Sequence, residues 1–151
     1  MTDGTVLIHA TAISISGYGV MIGGKSGSGK SDLALRLIDR GAQLICDDYV
    51  ALSDKAGALI LTPAPNIAGK IEIRGLGIVA IPYVDSAPLR LYVDIDMEMT
   101  RHPDLWQSTV LADYYVPMIA AVARADSAAI LIEMAVQKIV ADQVFPQKIA
   151  H

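Results

Sequence analysis

The chain has 151 residues, of which 53% are hydrophobic, and a net charge of −4. This length suits one domain with one core, and the acidic balance argues against nucleic acid as a main partner. The single cysteine, Cys46, excludes an intrachain disulfide framework and a multi-cysteine zinc site.

The first half of the chain predicts short strands around one helix. Runs of apolar and β-branched residues predict strands over 6–15, 20–23, 43–46, 49–52 and 58–61. Apolar residues at helical spacing predict a helix over 30–40, and Gly41 is placed to end it.

The second half contains further strands and one more helix. Predicted elements are a short extended segment over 71–77, strands over 78–81, 89–95 and 115–119, and a helix over 127–142. Pro117 indicates that the strand at 115–119 lies at a sheet edge. Residues 97–111 show no clear pattern. Few helices among many strands favour one α/β domain with a mixed, strongly bent sheet.

The chain carries no convincing targeting or membrane segment. Residues 1–4 include an acid and no basic residue, which argues against a signal peptide. The apolar stretch 128–140 is interrupted by Glu133, Gln137 and Lys138, whereas a membrane span needs about 20 apolar residues. We expect a cytoplasmic protein. The mean hydropathy of +0.44 favours a homo-oligomer that buries additional apolar surface.

Residues 24–31 match the pattern G-x-x-x-x-G-K-[ST] without a departure. The segment consists of Gly24, Lys25, Ser26, Gly27, Ser28, Gly29, Lys30 and Ser31. Glycines allow successive backbone N–H groups to surround a phosphate, and the following helix adds its positive N-terminal end. Lys30 is expected to reach the β- and γ-phosphates and Ser31 to bind Mg²⁺. The motif therefore predicts a P-loop that binds a nucleoside triphosphate with magnesium.

A P-loop enzyme also needs an acid near the metal and a group that orients the nucleophile. Asp47 and Asp48 follow one apolar run, and Asp94 and Asp96 end another. We prefer the first pair, because a right-handed crossover would place its strand beside the P-loop strand. A turn-capping role remains the alternative for Asp47 and Asp48, and outward-facing acids on an exposed strand are the expectation for Asp94 and Asp96.

Four other polar residues are candidates on weaker grounds. His9 lies on the first predicted strand and alone suggests a structural histidine. Glu72 and Arg74 alternate, so they share one side of an extended segment; there they could act on a phosphate and its metal or form an exposed ion pair. Arg101 lies in a loop, where functional residues are frequent.

Taken together, four segments resemble the catalytic domain of HPr kinase/phosphorylase, the bacterial enzyme that acts on a serine of the phosphocarrier protein HPr. They are His9, the P-loop, the run from Arg40 to Asp48, and the run Glu72-Ile73-Arg74-Gly75-Leu76-Gly77. The resemblance covers about residues 6–81 well and the remainder loosely, and it is closest to the short form found in alphaproteobacteria.

The resemblance implies a role for each matched residue. The Asp47–Asp48 pair would supply the base that removes the serine proton, and Glu72 would join Ser31 at Mg²⁺. His9 would lie near the transferred phosphate, Arg74 would belong to a segment that shapes the reaction, and Arg101 falls near the position of a catalytic arginine.

The resemblance also implies an architecture and an assembly. The fold would resemble the nucleotide domain of phosphoenolpyruvate carboxykinase, the domains would assemble as hexamers, and the family's N-terminal domain would be absent. The glycine- and arginine-containing segment that the family ties to dephosphorylation is not recognisable after Val116-Pro117-Met118.

We therefore expect an Mg-ATP-dependent serine kinase for HPr, with the reverse phosphorylase activity less firmly implied. Two alternatives remain. A small-molecule P-loop kinase would need an arginine-rich lid, which the sequence does not show. An inactive nucleotide-sensing module would be expected to lack one of the acids, yet Asp47, Asp48 and Glu72 are all present.

Overall fold

The computed structural model describes residues 4–25, 27, 29–99 and 106–151. The helices are α1 (Lys30–Asp39) and α2 (Ala128–Ala141). The strands are β1 (Val6–His9), β2 (Thr11–Ile15), β3 (Tyr18–Gly23), β4 (Gln43–Cys46), β5 (Tyr49–Lys55), β6 (Ala58–Pro63), β7 (Lys70–Ile73), β8 (Gly77–Ala80), β9 (Ala87–Asp94), β10 (Gln107–Leu111), β11 (Tyr114–Ala120) and β12 (Gln147–Lys148).

Within these residues, ten strands form one mixed sheet and β7–β8 form a separate hairpin. The main path is β1-β5-β6-β9-β3-β2-β4. Strand β9 runs parallel to β3 on one side, and on the other it pairs with β6 near its start and with β11 near its end. The sheet therefore branches at β9, and the predicted mixed α/β class is confirmed.

The strand that leads into the P-loop is buried on both faces. Val20 and Ile22 pack with Leu33 of α1 and Ile132 of α2 in one core cluster. Met21, between them, packs into a second cluster on the opposite face. Successive strand residues point to opposite faces, so the uninterrupted apolar run at 20–22 follows from cover on both sides.

Both predicted helices are confirmed within a residue or two of their expected ends. Gly41 has a φ of 112° and donates its N–H to the carbonyl of Ile38 at 3.0 Å, so it ends α1 as predicted. Ser127 is the N-cap of α2, without a side-chain capping hydrogen bond. Neither helix in the described part of the chain is long and apolar enough to cross a membrane.

Three expectations about the strands were wrong. The extended run at 6–15 is two strands, because β1 pairs with β5 whereas β2 pairs with β3 and β4. Strand β4 does not lie beside β3, since β2 is inserted between them. Strand β11 is internal rather than an edge: β10 pairs with it opposite Pro117, and β9 pairs with it only from Met118 onward. The missing N–H of Pro117 therefore falls just outside the β9 ladder.

The stretch 97–111, which gave no prediction, contains β10.

Candidate active site

Four strands bring their carboxyl ends to the same edge of the sheet. Strands β3, β9 and β11 are mutually parallel, and β4 is parallel to β3 because both pair antiparallel with β2. Ligand sites of open α/β sheets lie at this edge. The P-loop, the acids after β4 and β9, and the loop after β11 are therefore expected to meet there.

The P-loop leads into α1 through a glycine in a left-handed conformation. Gly29 is the N-cap with a φ of 104°, and its carbonyl accepts the N–H of Leu33 at 3.0 Å. A side chain rarely adopts this φ, so the second glycine of the motif is required by the backbone. The predicted residues Ser26 and Ser28 lie outside the described residues.

Lys30 is almost fully buried, at 6% exposure. Its Nζ donates to the carbonyl of Gly24 at 2.7 Å and to that of Lys25 at 3.0 Å. An ammonium group has three donors, so one hydrogen remains for an anion held against the loop. The helix N-terminus adds partial positive charge at the same place.

Asp47 lies at the end of β4 and is also 6% exposed. Its Oδ1 accepts the Ser31 hydroxyl at 2.7 Å and the Thr11 hydroxyl at 3.0 Å, and its Oδ2 accepts the N–H of Glu72 at 3.1 Å. Three donors from α1, β2 and β7 thus fix the carboxylate beside the P-loop serine. The structure thus places the preferred pair, Asp47–Asp48, next to the P-loop.

Asp48 is arranged very differently from its neighbour. Its side chain is 61% exposed, its φ is 71°, and its Oδ1 lies 2.9 Å from Nε2 of His9. Strand β1 brings His9 there, since His9 pairs with Tyr49 in the β1–β5 ladder and its ring lies 5.1 Å from that of Tyr49. The left-handed backbone turns Asp48 toward the cleft, and His9 orients its carboxylate.

Glu72 and Arg74 enter the site from the β7–β8 hairpin. Glu72 lies on β7, and Arg74 is the first residue after that strand. Neither side chain has a hydrogen-bond or ion-pair partner among the described residues, so the expected alternative of an exposed ion pair does not hold. A carboxylate and a guanidinium without protein partners are available to a metal and a phosphate.

These groups line one cleft of about 700 Å³. Its polar side chains are Lys30, Ser31, Asp32, Asp47, Asp48, Glu72, Arg74 and Arg124. His9 joins it through Asp48, and Arg101 lies outside the described residues. The cleft thus contains both cations and carboxylates, the two kinds of group that bind a metal–nucleotide complex.

Arg124 is a cleft residue that sequence reasoning missed. It follows β11, which runs parallel to β9, so its loop emerges at the same edge as the P-loop. The signal in the sequence was the predicted strand at 115–119. Interpreting that strand as an edge, because of Pro117, hid the fact that the next loop faces the site.

The expectation that Asp94 and Asp96 are outward-facing acids on an exposed strand was wrong. Asp94 ends β9, and its Oδ1 accepts the N–H groups of Asp96 at 2.9 Å and Met97 at 3.1 Å. Oδ2 of Asp96 accepts the P-loop N–H of Lys25 at 2.7 Å. These acids therefore close a turn and support the start of the P-loop.

The nearby cysteine lies in an environment that disfavours a nucleophile. Cys46 is fully buried, and burial raises the pKa of its thiol. A thiol with a raised pKa is mostly protonated at neutral pH and unreactive. The interpretation of Cys46 as a buried core residue is confirmed.

The donor set fits magnesium better than a metal held by protein alone. Within the described ranges, no group of three or more His, Cys, Asp or Glu residues could hold a metal ion. Ser31 and Asp47 instead supply two hard oxygen ligands 2.7 Å apart. Mg²⁺ is usually bound through one or two protein oxygens together with water and substrate phosphates, so these residues fit it.

The family model of the HPr Serine kinase C-terminal domain matches residues 3–87, more than half of the chain. The chain belongs to the HPr serine kinase C-terminal domain family. Within this family, the HPr kinase/phosphorylase of Clostridium beijerinckii is 43% identical over 74 residues, which are 49% of this chain and 24% of the relative. That of Levilactobacillus brevis is 40% identical over 102 residues, 66% of this chain and 32% of the relative.

The match to a solved structure extends over nearly the whole chain. The Hpr(Ser) kinase/phosphatase from Coxiella burnetii has a TM-score of 0.81 and 28% identity, covering 91% of this chain and 92% of that one. The chain spans only about a quarter to a third of the length of the curated relatives. The kinase fold expected from the P-loop and its neighbouring segments is thus confirmed.

Proposed function

We propose that this chain is the catalytic domain of an Mg-ATP-dependent protein kinase that phosphorylates a serine of an HPr-type phosphocarrier. The observation that carries the proposal is the meeting of three units in one cleft: the P-loop, the Asp48–His9 pair and the β7–β8 hairpin. The names of the relatives, which denote HPr kinases, favour HPr as the acceptor.

The triphosphate is held by the P-loop. Backbone N–H groups of the loop and the N-terminus of α1 face its β- and γ-phosphates, and Lys30 donates its remaining hydrogen to them. Ser31, Asp47 and Glu72 are proposed to bind Mg²⁺. An ion held by these residues would supply positive charge to offset the negative charge that develops on the leaving ADP.

Asp48 is proposed as the base that accepts the serine proton. Asp47 already accepts three hydrogen bonds and is buried. The Asp48 side chain is exposed to the cleft and, within the described part of the chain, is hydrogen-bonded to His9 alone. A base must reach the hydroxyl proton of an incoming protein side chain, which favours the exposed carboxylate. His9 then acts as a positioning residue that orients Asp48.

Arg74 stabilises the phosphoryl group during transfer. Its guanidinium has no partner among the described residues and borders the cleft, and a guanidinium matches the oxygens of a phosphoryl group in transfer. Arg101 is proposed as a further cation of this kind. Catalysis then depends mainly on positioning and electrostatics.

The phosphorylase reaction would use the same groups. Inorganic phosphate would take the phosphoryl group from the phosphoserine, giving pyrophosphate and the free serine, and Asp48 in its protonated form would give its proton to the departing serine oxygen. A cytoplasmic location follows from the phosphocarrier substrate. The homo-oligomer, a hexamer by resemblance, remains a prediction.

Nucleotide binding and phosphoryl transfer should separate in two variants. Lys30→Ala should weaken Mg·ATP binding and abolish transfer. Asp48→Asn should bind Mg·ATP like the wild type and lower transfer by about a hundredfold or more, because general-base catalysis contributes factors of this size. Asp142→Asn is the matched control, since Asp142 is at the far end of α2 and pairs with Lys138. Labelled transfer and calorimetric titration measure both properties. Full activity of Asp48→Asn would refute the assignment of the base.

A further inference from the structure

The loop between β11 and α2 contributes a cation to the lining of the cleft. Arg124 is exposed and lines the cleft, and it forms no hydrogen bond or ion pair with any residue that the structure describes. The residue before it, Ala123, is buried and packs close to the P-loop: a Cβ placed on Gly29 would lie 3.3 Å from the Cβ of Ala123. Arg124 therefore follows directly on a residue in contact with the phosphate loop.

A second arginine holds this loop on both sides of Arg124. Arg36 of α1 donates from Nη2 to the carbonyl of Ala123 and from Nη1 to the carbonyl of Ala125 at 3.2 Å. Its Nε donates to Asp32 at 3.2 Å, one turn earlier on α1. All three nitrogens of Arg36 are thus used, and the guanidinium bridges the two peptides that flank Arg124.

The remaining backbone of the loop is fixed as well. Ala125 donates its N–H to Val122 at 2.9 Å, and Ala121 donates to the carbonyl of Asp94, at the end of β9, at 3.1 Å. The backbone is held while the Arg124 side chain extends into the cleft. A residue presented in this way is preorganised for a ligand, because little of the loop must be ordered on binding.

We infer that Arg124 binds an oxygen of the transferred phosphoryl group and that Arg36 is a positioning residue that holds Arg124 in place. This inference rests on the proposed kinase function and extends it to a loop outside the segments matched by sequence. A guanidinium that has no partner among the described residues, and that lines the same cleft as the P-loop and Arg74, has the chemistry of a phosphate ligand. The ligand is the γ-phosphoryl group in the forward direction and the phosphoserine in reverse.

The test compares Arg124→Ala, Arg36→Gln, the double variant and Arg40→Gln. Arg40 is the matched control, because it is the C-cap of α1, one turn after Arg36, and its guanidinium pairs with Glu133 of α2. Phosphoryl transfer to the HPr-type protein is measured at saturating substrates. Binding of Mg·ATP and Mg·ADP is measured by calorimetry, and folding by thermal unfolding.

Arg124→Ala should lower kcat by about tenfold to a hundredfold, the range expected for a lost hydrogen bond to a charged group. It should weaken Mg·ATP binding and leave Mg·ADP binding unchanged. Arg36→Gln should lower kcat less, and the double variant should be no slower than Arg124→Ala, because Arg36 acts through Arg124. Arg40→Gln should retain the wild-type kcat.

Two results would overturn the inference. One is a kcat of Arg124→Ala within twofold of the wild type. The other is a double variant whose fold loss of kcat equals the product of the fold losses of the two single variants, because that would indicate independent structural roles. If the wild type transfers no phosphoryl group, the proposed kinase function fails. The nucleotide measurements still decide the role of Arg124, since equal affinities of wild type and Arg124→Ala for Mg·ATP would refute it.

Discussion

Gly23 is predicted to tolerate no side chain, for a steric reason. It is the last residue of β3 and pairs with Asp94 of β9, where the ring of Tyr92 lies across it. A Cβ built on Gly23 would lie 1.8 Å from the Tyr92 hydroxyl oxygen and 2.5 Å from Cζ. Ordinary contacts between such atoms are about 3.5 Å, so in Gly23→Ala the ring must retreat by roughly 1.5 Å or more.

The size of the effect follows from the buried surroundings. Overpacking of this kind costs about 1–3 kcal/mol, and each kcal/mol lowers Tm by roughly 2–4 °C in a domain of this size. Gly23→Ala should therefore melt about 2–12 °C below the wild type. Weaker Mg·ATP binding is also expected, since the P-loop begins at the next residue.

Thermal and urea unfolding of a double-mutant cycle test the reasoning. Tyr92→Leu removes the hydroxyl, Cζ and the ring edge, so adding Gly23→Ala to it should cost little. Tyr92→Phe removes only the hydroxyl and should relieve the clash in part. The same loss of stability from Gly23→Ala in the wild-type and Tyr92→Leu backgrounds would refute the steric explanation, as would a Gly23→Ala variant as stable as the wild type.

Asp47→Ala should destabilise the fold by about 1–3 kcal/mol in urea unfolding, because the N–H of Glu72 loses its acceptor. Asp48→Asn should change the free energy of unfolding by less than about 0.5 kcal/mol. Equal losses in the two variants would contradict a structural role for Asp47 and a catalytic role for Asp48. Gly29→Ala should lose about 1–2 kcal/mol, since a side chain is strained at its φ of 104°, and should weaken Mg·ATP binding in calorimetry; unchanged binding would contradict the geometry. The ion pair of Asp54 with Lys148 lowers the pKa of Asp54 and raises that of Lys148, so its stabilisation is present at neutral pH and lost as pH falls through the lowered pKa of Asp54 or rises through the raised pKa of Lys148. Lys148→Met should therefore melt below the wild type at pH 7, and the difference should vanish once the pH is below the lowered pKa of Asp54; a difference that persists there would contradict this.

The parts of the site that depend on neighbouring residues could be predicted from the sequence. The conformation of the P-loop is local and is determined by its glycines. The strand before it has an apolar run because both of its faces are buried. The approach of the Asp47–Asp48 pair to the phosphate loop was expected because both follow strands that end at one edge of a sheet. The structure places Oδ1 of Asp47 2.7 Å from the Ser31 hydroxyl. The assumed adjacency of β3 and β4 was wrong, but the insertion of β2 leaves the two strands parallel, so both still end at this edge.

The parts that depend on distant strand pairing could not be predicted in this way. His9 reaches Asp48 because β1 pairs with β5, a contact across 39 residues, and no local pattern encodes it. Arg124 reaches the cleft because β11 is parallel to β9. A proline usually marks an edge strand, but Pro117 precedes the first residue paired with β9 and leaves that ladder intact. Local propensity gives the elements, and their order in the sheet is decided by tertiary packing.

The most direct test of the account is transfer of labelled γ-phosphate from Mg·ATP to a purified HPr-type protein from the same organism, with the labelled residue located by mass spectrometry. The account predicts label on one serine, lost in Lys30→Ala and in Asp48→Asn and retained in Asp142→Asn. Measurable Mg·ATP binding without serine labelling would contradict it and would assign the cleft to another acceptor or to nucleotide sensing.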